Sequence, residues 1–208
     1  YGHADGNQWT PAECDVSIRP GWFYHPEEDG KVKSPDQLVD LYYRSVGHNA
    51  TLLLNFPVDR DGLIHPVDSA NAVRFHKIIE RELSHNLVAG MKPKVSNERG
   101  TEFAAKALTD NSWDTYWATA DGVTTADITF SFKKPQKINR IMLQEYIPLG
   151  QRVKKFVVEY LDGKQWKPVS QNEETTTIGY KRLLRFLTVE TKGVRVRILD
   201  SRGPICLN

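Results

Sequence analysis

Cysteine is nearly absent. Cys14 and Cys206 are the only two in 208 residues, and they stand far apart in the chain. That leaves a disulfide framework and a cysteine-built metal site without support, and both thiols are expected to be free and buried. There is no apolar run long enough to span a bilayer, so no membrane insertion is expected. An excess of one charge is missing too. The 28 basic residues face 26 acidic ones, a net charge of +2, which gives no reason to expect nucleic acid or an anionic membrane as partner. His25 and His48 lack metal-ligand spacing with other histidines or acids, so zinc is unsupported. The chain has no initiating Met and no leader segment; its loop-like start, Tyr1-Gly2-His3-Ala4-Asp5-Gly6-Asn7, reads as the middle of a longer protein.

What the chain does have is gathered near its start, in residues 9–25. Glu13, Asp15 and Arg19 share this stretch with Trp9, Trp22, Phe23 and Tyr24. Pro11, Pro20 and Gly21 break any long helix, so loop and short strand are expected. Carboxylates and a guanidinium can take sugar hydroxyls, and a flat indole can take the sugar's C–H face. The plainer alternative is a core-lining loop whose aromatics are packing and whose Asp15–Arg19 pair is an internal ion pair. After it, Ser34-Pro35-Asp36-Gln37 is a helix start with capping-box spacing, and Leu38, Leu41, Tyr42 and Val46 recur at helical spacing before Gly47. Thr51–Phe56 is almost wholly apolar, as a strand covered on both faces would be. Asp59-Arg60-Asp61-Gly62 is a turn, and Asp68 is expected to cap a second helix carrying Val73, Phe75, Ile78, Ile79 and Leu83.

The stretch Trp9-Thr10-Pro11-Ala12-Glu13 through Ser17-Ile18-Arg19-Pro20-Gly21-Trp22-Phe23 resembles a segment late in the catalytic barrel of α-L-fucosidases, glycoside hydrolase family twenty-nine. Gly47-His48-Asn49-Ala50-Thr51-Leu52-Leu53-Leu54-Asn55-Phe56-Pro57 and the Asp61-Gly62 turn resemble that family's next strand and loop. The match is closest to the branch acting on α-1,3/1,4-linked fucose. The resemblance implies a retaining hydrolase, with a nucleophile and an acid/base about 5–5.5 Å apart. It places both catalytic carboxylates before Tyr1, so this chain alone is expected to be inactive. Glu13 is the one carboxylate here that could stand in as acid/base. Trp22 is the expected contact to the fucose ring's apolar edge, with Glu13, Arg19 and Asp15 as further substrate-binding residues. About 85 residues cannot close a (β/α) barrel of typically about 250, so residues 1–87 are expected to be the last third of one.

From residue 88 the pattern changes to short runs of β-branched and aromatic residues. Candidate strands are 127–132, 140–145, 153–160, 165–170, 183–186 and 194–199, which suggests an antiparallel sandwich or jelly roll. Val95-Ser96-Asn97-Glu98-Arg99-Gly100, Asp110-Asn111-Ser112-Trp113-Asp114-Thr115-Tyr116-Trp117 and Gln144-Glu145-Tyr146-Ile147-Pro148-Leu149-Gly150-Gln151-Arg152-Val153 resemble the galactose-binding-like discoidin fold, found as family thirty-two carbohydrate-binding modules. The resemblance implies a structural Ca²⁺ held by Asp110 and Thr115, an oxygen-only donor pair suited to calcium. The family's usual glutamate on the final strand is missing before Asn208, and the alternative is Asp110 as a turn-former and N-cap. Trp113, Tyr116 and Trp117 are expected in the core, and Lys154-Lys155 and Lys181-Arg182 on solvated strand faces.

The expected fold is therefore α/β plus all-β: the end of a TIM-type barrel (1–87), then a galactose-binding-like β-sandwich (88–208). The expected function of the parent protein is hydrolysis of α-L-fucosidic bonds, without a catalytic cofactor. Its expected partners are fucosylated oligosaccharides or glycoconjugates and the missing barrel segment, and its expected location is secreted, periplasmic or otherwise exported. The alternative is a lectin-like protein acting through the sandwich.

Overall fold

The computed structural model describes residues 6–169 and 174–208; Ser170, the end of one expected strand, and the opening Tyr1–Asp5 lie outside the described residues. The chain divides into two compact units. One comprises residues 11–87, and the other residues 88–208 together with Gly6–Thr10. Trp9 and Thr10 thus cluster apart from the rest of the aromatic stretch they adjoin.

In the first unit, strand β1 (Ala12–Ser17) and strand β2 (Ala50–Asn55) pair in parallel, with Ala12 opposite Ala50 and Ser17 opposite Asn55. Parallel neighbours need a crossover, and helix α1 (Pro35–Ser45) supplies it. Its start is the one the sequence spells out. Ser34 Oγ accepts from Gln37 N, and Gln37 Oε1 accepts from Ser34 N at 2.8 Å. Helix α2 (Pro66–Leu83) follows β2 and is tied to α1 by Tyr43 Oη donating to Glu82 Oε2 at 2.9 Å. The N-cap of α2 is His65, not Asp68. Pro66 fits the first helical position because its missing N–H is an orphan there anyway. Asp68 lies within the first turn, and its carboxylate is fully buried on another task.

The two strands are not covered alike on both faces. Ala12, Cys14 and Val16 are half-buried, whereas Glu13 and Asp15 alternate with them on an exposed face. Their register partners Thr51 and Leu53 are exposed with them. The expected burial on both faces is not met in β2, where Ala50, Leu52 and Leu54 are half-buried and Thr51 and Leu53 exposed. Cys14 is half-buried rather than buried.

The second unit is mostly β. Strands β3 (Lys94–Val95), β5 (Ala126–Leu143), β6 (Val153–Asp162), β7 (Gln165–Pro168) and β8 (Arg182–Ser201) form an antiparallel sheet in the order β3-β5-β8-β6-β7. Strands β4 (Trp117–Ala118) and β9 (Cys206–Leu207) form a second, two-stranded sheet. Period-two alternation aims Ile128, Phe130, Val194, Val196 and Ile198 into the core and Asp127, Arg195 and Arg197 outward. The outward acids and arginines pair across strands: Arg197 with Asp127, and Arg195 with Glu159, whose partner also lies under Trp166.

Four of the six expected strands merge into two long ones, β5 and β8. The breaks expected near Lys134-Pro135 are bulges: pairing of β5 with β8 shifts register between Ser131 and Gln136 and again between Ile138 and Arg140. Proline costs no ladder bond at such an interruption, and bulges bend the sheet into its curled form. Two further expectations need correction. Arg182 is buried rather than solvated, with NH2 donating to Glu174 O at 2.9 Å. Trp113 is not core: it is 55% exposed and stacks on Tyr180, whereas Trp117 is fully buried with Nε1 donating to Asn97 O.

Candidate functional sites

At the carboxyl ends of β1 and β2 the chain enters two loops, residues 18–25 and 56–65. The first leaves β1 with one more ladder bond, Ile18 N to Asn55 O at 3.0 Å, and then turns through Pro20-Gly21. Lys33 fastens its root: Nζ donates to Ser17 O at 2.7 Å and to Arg19 O at 3.3 Å. Asn55 reaches across from β2, with Nδ2 donating to Ser17 Oγ at 3.2 Å and to Trp22 O at 3.1 Å. On this frame the Trp22 side chain stands 52% exposed and Phe23 78% exposed. Two aromatics in the open, on a loop of fixed root, are what a ligand with an apolar face would meet.

Arg19 belongs to the same loop. Its guanidinium is fully buried and forked onto Asp68, Nε to Oδ2 at 2.8 Å and NH2 to Oδ1 at 2.9 Å. NH2 also lies 2.9 Å from Asp29 Oδ1, NH1 reaches His25 O, and the plane covers the Tyr24 ring at 4.7 Å. Bidentate pairing on Asp68, with Nε, NH1 and NH2 each engaged, fixes the loop. The ion-pair partner of Arg19 is Asp68 rather than Asp15. His65 Nε2 lies 3.5 Å from Asp29 Oδ2, and its ring adjoins Tyr24. Desolvation and the Asp29 carboxylate push the Tyr24 hydroxyl above the usual tyrosine range. Asp29 and His65 were not singled out from sequence, and Asn55 was named there only within the Gly47–Pro57 motif, without a role. Glu13 and Asp15 lie lower on the exposed face of β1, outside this network.

The second unit holds a cavity of about 360 Å³ lined by Arg99, Tyr116, Asp121, Leu149, Arg152 and Pro204, over Ala118 and Cys206. Tyr116 is held flat against Tyr146, centroids 4.2 Å apart, and tilts against Phe103. Arg152 is fixed by Nε to Leu149 O at 3.1 Å and NH1 to Pro204 O at 2.9 Å. Arg99 donates to Thr119 O and to the Asp121 carboxylate. Behind the wall, buried Glu145 accepts from the backbone N–H groups of Arg152, Val153 and Gly179. Burial raises its carboxyl above the usual glutamate value, against those three donors.

The calcium expectation rests on Asp110 and Thr115. Thr115 Oγ1 donates to Asp110 Oδ2 at 2.7 Å, and Ser112 N donates to Asp110 Oδ1 at 2.9 Å. Two oxygens of the kind a hard cation takes are side by side, while the same bonds close an Asx turn without one. Among the described residues no group of three or more His, Cys, Asp or Glu side chains could hold a metal.

Residues 93–208 match the family model of the F5/8 type C domain. A candidate α-L-fucosidase 1 of Oryza sativa subsp. japonica is 40% identical over 202 residues, 95% of this chain and 38% of that protein. Among solved structures, a candidate α-L-fucosidase from Bacteroides thetaiotaomicron has a TM-score of 0.92 at 44% identity, covering 98% of this chain and 44% of its own. A Ruminococcus gnavus GH29 fucosidase in complex with fucose has a TM-score of 0.88 at 33% identity, covering 99% and 41%. The chain thus spans about two fifths of the length of the relatives it matches.

Proposed function

From a chain that belongs to the F5/8 type C domain family and whose homologues and structural neighbours are α-L-fucosidases, we propose that it is part of a retaining α-L-fucosidase acting on α-1,3/1,4-linked fucose in glycans. Residues 1–87 belong, on this reading, to the end of its catalytic (β/α) barrel, and residues 88–208 form its discoidin-like domain. The observation that carries the reading is the Trp22 loop at the carboxyl ends of two parallel strands, where (β/α) barrels keep their chemistry. The exposed face of β1 and β2 would be the barrel interior, completed by strands from elsewhere in the protein.

In the mechanism we propose, one carboxylate attacks the anomeric carbon as the leaving oxygen is protonated by the second, and water then releases fucose with retention. Both carboxylates come from outside this chain, so residues 1–208 alone hydrolyse nothing. Glu13 is a poor acid/base. It precedes Ser17 by four residues, roughly 13 Å along a strand at about 3.3 Å per residue, on the side away from the loops. Asp15, nearer the loop, is better placed as pocket floor. Trp22 takes the apolar edge of the fucose ring, and Arg19 holds the loop for it. Export follows from glycan substrates, and we propose it as the compartment.

Hydrolysis of an aryl α-L-fucoside by the intact protein tests the reading. Trp22→Ala should raise KM about tenfold or more, a loss of about 1.4 kcal/mol of binding. An intact wild type without hydrolysis sinks the enzyme reading, and an unchanged KM in the variant removes Trp22 from the site.

The cavity beside Tyr116 favours a second, compatible reading in which the sandwich itself binds a sugar, with the ring on Tyr116 and hydroxyls on Arg99, Asp121 and Arg152. Calorimetry with the 208-residue chain and L-fucose or galactose decides it, Arg152→Ala abolishing any heat. A structural Ca²⁺ on Asp110 and Thr115 is a separate proposal. Excess EDTA should lower the melting temperature of the sandwich and Ca²⁺ restore it; an indifferent melt removes the ion.

A further inference from the structure

We propose that Asn55 is the positioning residue for the Trp22 platform, setting how far the indole stands above the strand ends. The proposal rests on the reading of Trp22 as the sugar-facing aromatic. Asn55 ends β2, and three separate bonds converge on it from the other strand and its loop. Its backbone carbonyl accepts from Ile18 N at 3.0 Å. Its carboxamide donates both to Ser17 Oγ at 3.2 Å, the last residue of β1, and to Trp22 O at 3.1 Å. One short side chain therefore measures the distance from the rigid strand pair to the main chain of the aromatic residue itself.

The tether matters because residues 18–23 contain no helix or strand, and Pro20-Gly21 supplies little side-chain packing. Arg19 and Lys33 fix the root of the loop through Ser17, Ile18, Arg19, His25, Asp29 and Asp68, and none of those bonds is made to Trp22. The Asn55 bond is applied at Trp22. A carboxamide suits the task because the Trp22 carbonyl can only accept and needs an N–H donor, while the second amide hydrogen serves Ser17 Oγ. Aspartate, of the same size, offers only acceptors when ionised and would face the Trp22 carbonyl with like polarity. The plainer account is that Asn55 merely closes the end of β2; it predicts a stability change and no change in sugar binding.

The test is made in the intact protein. Asn55→Asp and Asn55→Ala should each raise KM for an aryl α-L-fucoside about tenfold while kcat stays within about threefold, the pattern of lost uniform binding. Combined with Trp22→Ala, either should add almost nothing, since residues acting through one contact are non-additive. Trp22 emission, taken as the difference from a Trp22→Phe protein, should shift in both Asn55 variants. Unchanged KM and unchanged Trp22 emission overturn the proposal, and so does a fall in kcat with KM held. If Trp22→Ala itself leaves KM unchanged, the site reading above fails, while the emission difference still decides whether Asn55 holds Trp22.

Discussion

Arg19 and Asp68 show how a single residue can be read correctly in type and wrongly in partner. The sequence places an arginine among acids in an aromatic stretch, which suits a ligand contact or a local ion pair. The partner lies 49 residues away, inside the first turn of α2, and nothing in local spacing reports a pair closed only by the βαβ crossover. Both side chains are wholly buried, and removing Asp68 leaves the Arg19 guanidinium with only the partly exposed Asp29 as a carboxylate partner. Asp68→Ala should cost about 3–5 kcal/mol in a denaturant titration of the protein, and a cost below about 1 kcal/mol would make the pair incidental. Glu145 gives a pH-dependent counterpart. Its folded carboxyl titrates above the unfolded value because burial disfavours the charge. Its stabilisation is therefore complete below the ordinary glutamate value and is lost as pH rises through the folded one. Wild type should thus lose stability relative to Glu145→Gln across that window; a pH-independent difference contradicts the assignment.

At the scale of elements, the helix start at Ser34 was fully legible, because capping is a contact between residues three apart. The strands of the sandwich were legible as segments but not in length. Lys134-Pro135 reads as a stop, yet β5 continues through it where the ladder with β8 slips register. Whether a proline ends a strand depends on whether its neighbour needs the missing N–H, and that neighbour is some 55 residues away in sequence. Trp113, unlike the buried Trp117 of the same run, was misplaced for a similar reason, since only the fold brings Tyr180 against it. Gly193 on β8 carries an element-scale prediction. A Cβ there would lie 3.2 Å from the Trp166 ring and 3.3 Å from Phe130 O, a backbone atom that cannot swing aside. Gly193→Val should cost about 1–3 kcal/mol by overpacking, seen as a lower melting temperature; an unchanged melt would mean that the sheet opens freely at this bulge.

Over the whole molecule, the change from helical to alternating periodicity near residue 88 was plain in the sequence, whereas the placement of residues 6–10 with the second unit was not. Arg202 donates to Gly6 O, a contact between the two ends of the chain that no local pattern announces. The units differ in what they can bury. The sandwich closes a core of Trp117, Phe156, Ile198, Leu184 and Ile205, while the strands of the other unit keep an exposed face with Leu53 on it. Expressed alone, residues 88–208 should melt in one cooperative transition and residues 11–87 should not. Cooperative melting of the latter would contradict their membership of a larger barrel.

The most direct measurement is proton NMR of the first fucose released from an aryl α-L-fucoside by the intact protein, recorded before mutarotation. A retaining fucosidase releases α-L-fucose first. Release of the β-anomer would contradict the double-displacement mechanism, and no release would contradict the fucosidase assignment itself.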